Sequence, residues 1–161
     1  MSDAESNVVQ LRSSARAINK SSEQKWGKAV TGCGFAIVPS ILIRGQQRLG
    51  LSPMQINVLV HLLDYWWSPE THPYPSKRSI ATRMGVSPRT IQKAIADLEV
   101  AGLVKRIARR TSAGDPNTNM YDLSGLVETL IKLEPEFRRA KEVKEEVQRT
   151  VETPKGRRRR S

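Results

Sequence analysis

Residues 76–110 decide the fold of this chain, and they read SKRSIATRMGVSPRTIQKAIADLEVAGLVKRIARR. Ser76 and Ser87 each precede a stretch with apolar residues at helical spacing, and Pro88 follows Ser87 directly. Since serine is a favoured helix N-cap and proline a favoured first helical residue, two helices are predicted to begin here. Gly85 lies between them, where a sharp turn needs a residue that tolerates positive φ. The stretch therefore predicts a helix-turn-helix.

The apolar residues of this stretch fit the packing that a helix-turn-helix requires. Two crossing helices need a small residue at the crossing, a glycine in the turn and an apolar residue that locks the second helix. Ala81, Gly85 and Ile91 fit these roles, at spacings of four and six residues. The second helix is predicted over residues 88–101, with Gly102 placed to end it. The other inward positions are Ile80, Met84, Val86, Ala94, Ile95 and Leu98.

Positive charge is concentrated in the same stretch. Residues 76–110 hold nine of the 27 Lys and Arg residues, against two acidic residues. Residues 155–160 hold five more, so the rest of the chain nets −1 although the whole chain nets +11. A basic surface gathered in one place is what a polyphosphate partner requires. We therefore expect double-stranded DNA as the partner.

Helical geometry sorts the second helix into an inner and an outer face. With Ile91 inward and about 100° per residue, Arg89 and Lys93 fall on the opposite side, with Thr90 and Gln92 on the flanks. We predict that these four residues read bases in the major groove. Arg89 would contact guanine and Gln92 adenine. Thr90 would contact a thymine methyl group or a phosphate, and Lys93 either a base or a phosphate.

A second set of residues is predicted to contact the DNA backbone. Hydroxyl groups and helix N-terminal N–H groups suit phosphates, while Lys and Arg add an attraction that does not depend on sequence. The arginine-rich C-terminus is either such a phosphate clamp or an inert tail. The set comprises Ser76, Lys77, Arg78, Ser87, Arg106, Arg109, Arg110, Thr111, Arg157, Arg158, Arg159 and Arg160.

Two strand-like stretches follow the second helix. LVKRIARR at residues 103–110 and NMYDL at residues 119–123 flank TSAGDPNT, in which Gly-Asp-Pro-Asn favours a turn. A β-hairpin is therefore predicted, with its register left open. Its basic tip makes it a candidate wing beside the helix-turn-helix.

The C-terminal region is predicted as two helices. The first runs from Ser124 to about Leu133, and Pro135 is expected to interrupt the chain. Residues 136–152 form a charged helical pattern with a thin apolar stripe, which favours an exposed or docked helix over a weak dimerising coiled coil. The predicted regions are a disordered N-terminal arm at 1–30, a winged helix-turn-helix domain at 35–134, and a charged helix with an arginine-rich tail at 135–161.

The region before the helix-turn-helix is less regular. Residues 1–30 are polar and lack an apolar period, which predicts disorder apart from a transient helix around residues 8–17. FAIV at residues 35–38 is a short strand or an extended lead-in, and Pro39 is placed to open a short helix. Residues 52–55 form a capping-box helix start. The buried stripe predicted for that helix is Ile56, Leu59, Val60, Leu63 and Trp67.

The run IATRMGVSPRTIQKAIADLEVAGLVKR at residues 80–106 resembles the winged helix-turn-helix of bacterial regulators. It is similar to the GntR-type pattern, in which "GVS-x-x-T-hydrophobic" precedes "A-hydrophobic-x-x-L-E-x-x-G-L". Residues 35–133 also resemble small helix-turn-helix proteins of phages, plasmids and bacteria, including N-terminal domains of replication proteins. The resemblance implies a mainly α fold with a small β-hairpin wing at residues 106–119 that touches the DNA backbone or minor groove. The residues it places on the groove-facing helix are Ser87, Arg89, Thr90, Gln92 and Lys93.

Three functions are compatible with this pattern. The first is a sequence-specific transcription regulator, more a repressor than an activator, of bacterial or mobile-element origin. The second is a replication initiator or accessory protein, which would use the same DNA-binding surface. The third is a winged helix that binds proteins. A homodimer and the replication or transcription machinery are the further partners that we expect.

Other function classes lack support in the sequence. No apolar run reaches the ~18 residues that span a bilayer, and the N-terminus lacks the apolar core of a secretory signal. His61 and His72 have no ligand partners at metal-site spacing, and Cys33 has no visible base partner. We therefore expect no enzyme activity, catalytic residue, metal, cofactor or membrane partner, and a cytoplasmic, nucleoid-associated location.

The aromatic run Tyr65-Trp66-Trp67 has two interpretations. Exposed aromatic side chains can stack on the bases of single-stranded nucleic acid. Because this run ends an amphipathic helix, packing against the core is the favoured interpretation.

Overall fold

The computed structural model describes residues 18–109 and 119–153. The first of its two units ends at Ala36, and the second begins at Ile37. The first unit holds α1, described over residues 18–26, and α2 (Lys28–Gly32). The elements of the second are α3 (Ser40–Arg44), α4 (Pro53–Asp64), α5 (Lys77–Met84), α6 (Pro88–Val100), β1 (Lys105–Ile107), β2 (Met120–Asp122) and α7 (Ser124–Glu152).

The first unit differs from the disordered arm that the sequence predicted. Residues 18–26 and 28–32 are helical, and Gly27 separates the two helices with a φ of 83°. No residue of α2 is buried. Burial in a core therefore does not account for α2. The transient helix predicted at residues 8–17 lies outside the described residues.

The core of the second unit is apolar and draws on every one of its helices. Leu42 of α3, Val58 of α4, Ile80 of α5 and Ile95 of α6 have no exposed surface. Burying a side chain of this size stabilises the fold by roughly 1.5–3 kcal/mol. Leu126 and Leu130 bring the start of α7 into the same core, and Leu133 one turn later is also buried.

The helix starts predicted after Ser52, Ser76 and Ser87 are confirmed, as are the helix ends predicted at Gly85 and Gly102. The side chains of Ser52, Ser76 and Ser87 each accept a hydrogen bond from a backbone N–H three residues later. Gly85 after α5 has a φ of 66° and Gly102 after α6 a φ of 72°. At both ends the following residue donates its N–H to a carbonyl five residues back, the hydrogen bond of a Schellman motif. The turn between α5 and α6 is thereby fixed by backbone geometry.

The buried stripe predicted for α4 is partly wrong. Leu59 and Leu63 are buried as expected, but the other fully buried positions of this helix are Val58 and Leu62. Residues 58–63 are apolar at five of six positions, so helical periodicity alone fits two overlapping stripes. α4 ends at Asp64, so Trp67 lies beyond the helix and is 74% exposed rather than packed.

Wing strands β1 and β2 form an antiparallel pair, as predicted. Arg106 lies opposite Tyr121, which settles the register that the sequence left open. The N–H of Tyr121 also donates to the carbonyl of Pro73 at 2.9 Å, so the segment before α5 runs beside β2. The tip at residues 110–118 lies outside the described residues. FAIV, at residues 35–38, is a lead-in and not a strand.

Pro135 does not interrupt the C-terminal helix, contrary to prediction. α7 is 29 residues long and runs unbroken through Pro135. A proline inside a helix removes one hydrogen bond and costs about 3 kcal/mol. Contacts on both sides of it offset that cost, because Leu133 and Phe137 both pack close to Gly45. Among the described helices, none is long and apolar enough to cross a membrane.

The start of α7 packs against the end of α6 so closely that only glycine fits at position 125. A Cβ on Gly125 would overlap the carbonyl oxygen of Gly102. We expect Gly125→Ala to lower the free energy of unfolding by about 1–3 kcal/mol, the usual cost of overpacking, in urea denaturation. Gly32→Ala is the control, since no atom lies within 4 Å of its added Cβ. Equal stability of the two variants would contradict this packing.

Candidate nucleic-acid interface

The outer face of α6 forms an open groove. Its lining residues are Ser87, Arg89, Thr90, Gln92, Lys93 and Ala96, around a volume of about 460 Å³. The inner face is buried in the core through Ile91, Ala94, Ile95 and Leu98. The structure therefore brings the four predicted base-reading residues together on one surface. Ala96 was not predicted, although its helical position one turn after Gln92 places it on that face.

Arg89 and Lys93 carry the charge of this groove. Both side chains are exposed, and they stand one turn apart on α6. Within residues 18–109 and 119–153, neither has a carboxylate oxygen within 4.0 Å. Their charges are therefore available to phosphates or to the acceptor atoms of a base edge.

Ser87 and Thr90 fix the start of α6. The Oγ of Ser87 accepts the N–H of Thr90 at 3.1 Å, and the two hydroxyl oxygens are 2.9 Å apart. Both hydroxyl groups are thus engaged within the protein, and Thr90 is half-buried. Ser76 caps α5 in the same way, through the N–H of Ser79 at 3.0 Å. The free N–H groups at these helix starts are the remaining donors for a phosphate.

Lys77 and Gln92 connect the two helices across the groove edge. The ammonium group of Lys77, the first residue of α5, donates to Oε1 of Gln92 on α6 at 3.4 Å. The sequence analysis assigned Lys77 to a contact with the DNA backbone and Gln92 to a contact with a base. Their contact depends on the angle between the helices, so no local sequence signal could reveal it.

Arg106 of β1 has a partner within the fold. Its guanidinium forms an ion pair with Glu99, and its backbone N–H donates to Oε1 of Glu99 at 3.0 Å. The hydrogen bond from Arg106 holds the pKa of Glu99 below its ordinary value. The pair links β1 to the end of α6. The phosphate contact predicted for Arg106 stays a prediction. Glu99 is thus a structural residue that the sequence analysis missed.

Two cation–aromatic contacts flank the helix-turn-helix. The guanidinium of Arg109, just after β1, lies 4.8 Å from the ring centre of Tyr74, and that of Arg83 lies 5.1 Å from Tyr65. Arg83 also contacts Asp64 at 3.4 Å. Arg109 remains exposed despite its contact, which keeps it available to DNA. Stacking on Tyr74 holds this arginine in one place at the base of the wing.

Several predicted contacts cannot be placed in this geometry. Arg110, Thr111 and the four arginines at residues 157–160 lie outside the described residues. Arg78 is described and exposed on α5. In the part of the chain that the structure describes, no group of three His, Cys, Asp or Glu residues could hold a metal ion.

Part of the chain matches a known family in sequence. Residues 49–104 match a family model described as a helix-turn-helix domain. The match covers α4, α5 and α6 and ends just before β1. No curated protein matches the chain.

Solved structures give weaker likenesses. The N-terminal domain of DnaD protein from Geobacillus kaustophilus HTA426 is 21% identical, with a TM-score of 0.48 over 69% of this chain and 88% of that one. A possible transcriptional regulator from Methanosarcina mazei Go1 is 16% identical, with a TM-score of 0.42 over 62% and 82%. MarR is 18% identical, with a TM-score of 0.38 over 71% and 74%. These likenesses carry no weight for function.

The Glu99–Arg106 pair makes a pH-dependent contribution to stability. Because the pKa of Glu99 is lower in the folded protein, the contribution is present above the ordinary value of 4.5 and is lost as the pH falls through the folded pKa. We expect Glu99→Gln to lower the free energy of unfolding by about 0.5–1 kcal/mol at pH 7, a value that allows for partial exposure of the pair. The difference from the unchanged protein should shrink below pH 4.5 in urea denaturation.

Glu128→Gln is the matched control, because it removes an exposed carboxylate on α7. No cation lies within 4.0 Å of this carboxylate in the described residues. It should leave the free energy of unfolding at pH 7 nearly unchanged. If both variants lose the same stability at every pH, the pair does not brace the wing.

Proposed function

We propose that this chain, in which residues 49–104 form a helix-turn-helix domain, binds specific sequences in double-stranded DNA and regulates transcription without catalysing a reaction. The observation that carries the proposal is the outer face of α6. Arg89 and Lys93 are exposed there, opposite a face whose apolar residues are buried. A helix with one face held in the core and a basic outer face is built to enter the major groove.

Each part of the surface has its own task in this proposal. Arg89, near the N-terminus of α6, donates to O6 and N7 of a guanine, and Lys93 contacts a base or a phosphate one turn later. Arg78 and Arg109 contact phosphates beside the groove, which supplies affinity but no sequence preference. Repression needs only occupancy of a promoter, so it is the mode of regulation that we infer.

The positions of bound sites separate regulation from replication. The same α6 surface would serve a replication initiator, because origin repeats are read through the same groove atoms. We would select bound duplexes from fragmented genomic DNA and from random DNA at about 150 mM salt, where nonspecific attraction is screened. An enriched motif at promoters supports the proposal, and repeats at an origin support a replication role. Absence of bound DNA would favour a winged helix that binds proteins.

A second copy of the chain is part of the proposal as well. An inverted repeat with half-sites one helical turn apart would indicate a dimer on DNA. The exposed stripe of Val143, Val147 and Val151 on α7 is one apolar surface available for that contact. The replication or transcription machinery stays a predicted partner.

Arg89→Ala tests the placement of the base-reading face. We expect it to weaken binding to the selected site by about 1–3 kcal/mol, roughly 5- to 150-fold, and to relax the preference at one position. Binding to unrelated duplexes should fall much less. The measurement is a fluorescence-anisotropy titration of the selected and scrambled duplexes at one salt concentration.

Arg139→Ala is the control for this test. It removes the same charge from an exposed position on α7, away from the groove-lining residues of α6. It should leave the ratio between the two duplexes unchanged. Equal weakening of both duplexes by Arg89→Ala would move the base-reading face away from this residue.

A further inference from the structure

Lys77 and Gln92 meet at the edge of the α6 groove, and this contact changes what Gln92 can read. The ammonium group of Lys77 donates to Oε1 of the Gln92 side chain at 3.4 Å. Gln92 lines the groove together with Arg89 and Lys93. The inference below rests on the proposed function, since it concerns the bases that face this groove.

The packing of the two helices brings these side chains together. Gln92 directly follows Ile91, which has no exposed surface, so its backbone position is fixed by the core. Lys77 directly follows Ser76, whose side chain caps α5, and Ile80 one turn later is also fully buried. Both backbones are therefore anchored next to the contact. Only the two side chains have to be ordered for the hydrogen bond to form.

The contact with Lys77 changes the hydrogen bonds that Gln92 can form with a base. A free glutamine amide reads adenine, because its N–H donates to N7 while its oxygen accepts from the adenine amino group. Here the ammonium group of Lys77 donates to one of the two lone pairs of the amide oxygen and places a positive charge beside that oxygen. Lys77 retains two more N–H donors. The pair as a whole thus presents more donors than acceptors.

The major-groove edge of guanine is the one that matches a set of hydrogen-bond donors. In the major groove it presents two acceptors, O6 and N7, whereas adenine presents one acceptor and one donor. An adenine amino group that approaches the amide oxygen would meet the ammonium group of Lys77, whose positive charge repels the amino hydrogens. Adenine is therefore disfavoured where the pair is intact.

We propose that Lys77 and Gln92 act together as a donor pair that selects guanine over adenine at the base pair facing Gln92. Lys77 is then a specificity-determining residue rather than a phosphate contact. The adenine contact that the sequence analysis expected for Gln92 arises only when Lys77 is removed.

Lys77→Met tests the pair, because methionine retains the aliphatic body of the side chain and lacks the donor. The position that Gln92 faces is first identified in the selected duplex as the one whose preference Gln92→Ala abolishes. The unchanged protein should bind guanine there at least about fivefold more tightly than adenine. Lys77→Met should remove that preference or reverse it toward adenine. Thermal unfolding of each variant confirms that it is folded.

Arg78→Ala is the matched control, since it removes one positive charge from the next residue of α5. Arg78 is exposed and is not among the residues that line the groove. It should weaken guanine and adenine duplexes by the same factor, which leaves their ratio unchanged. Arg78→Ala should also lower the salt dependence of binding, as the loss of a phosphate contact does.

A modified base identifies the atom that is read. 7-Deazaguanine lacks the N7 acceptor, so replacing the guanine with it should weaken the unchanged protein severalfold. It should have little effect on Lys77→Met combined with Gln92→Ala, because the donors are already absent. Equal effects of the modified base on both proteins would overturn the donor pair.

Other results would overturn the proposal in distinguishable ways. If Gln92→Ala abolishes no preference, or if the unchanged protein selects adenine where Gln92 acts, the pair does not select guanine although the proposed function stands. The same holds if Lys77→Met weakens guanine and adenine duplexes equally, as a phosphate contact would. If the unchanged protein prefers no base at any position, the proposed function and the donor pair fail together.

Discussion

Burial of one face of α6 is the constraint on which the rest of the structure depends. Ile91, Ala94, Ile95 and Leu98 anchor that face in the apolar core, so the helix cannot rotate without exposing them. A rotation by half a turn would place Arg89 and Lys93 in the core at a large desolvation cost. The core therefore decides which side chains face outward. Gly85, which ends α5 with a φ of 66°, then fixes where α6 begins relative to α5.

The arginine and lysine residues of the second unit have two different uses. Some are paired inside the fold, as Arg106 is with Glu99 and Arg83 with Asp64, and these hold elements together. Others, such as Arg89 and Lys93, are exposed and have no carboxylate partner among the described residues. Net charge alone does not separate these uses. Only the unpaired cations contribute directly to attraction for a polyanion.

The sequence predicts the helix-turn-helix well because its signals are local. Ser52, Ser76 and Ser87 cap their helices, and Gly85 and Gly102 end two of them, through contacts within a few residues. The inner face of α6 follows from one helical period. The residues of α6 that do not face the core form its outer face. The residues predicted to read bases therefore do lie together.

The errors in prediction concern contacts between distant parts of the chain. The continuity of α7 across Pro135 depends on packing against Gly45, about 90 residues earlier in the sequence. The burial pattern of α4 depends on which of two apolar stripes meets the core. The pairs Lys77–Gln92 and Glu99–Arg106 depend on the angle between helices and on the path of β1. Periodicity and capping rules contain no information on these distances.

The most direct test of the central claim is to map the DNA-bound surface by NMR. The uniformly labelled protein would be titrated with its selected duplex at about 150 mM salt, where nonspecific binding is weak. We predict that the largest amide shift changes fall on residues 87–96, with smaller ones at Arg78 and Arg109. Large changes confined to α3 and α7, with α6 unaffected, would contradict the assignment of α6 as the helix that reads DNA.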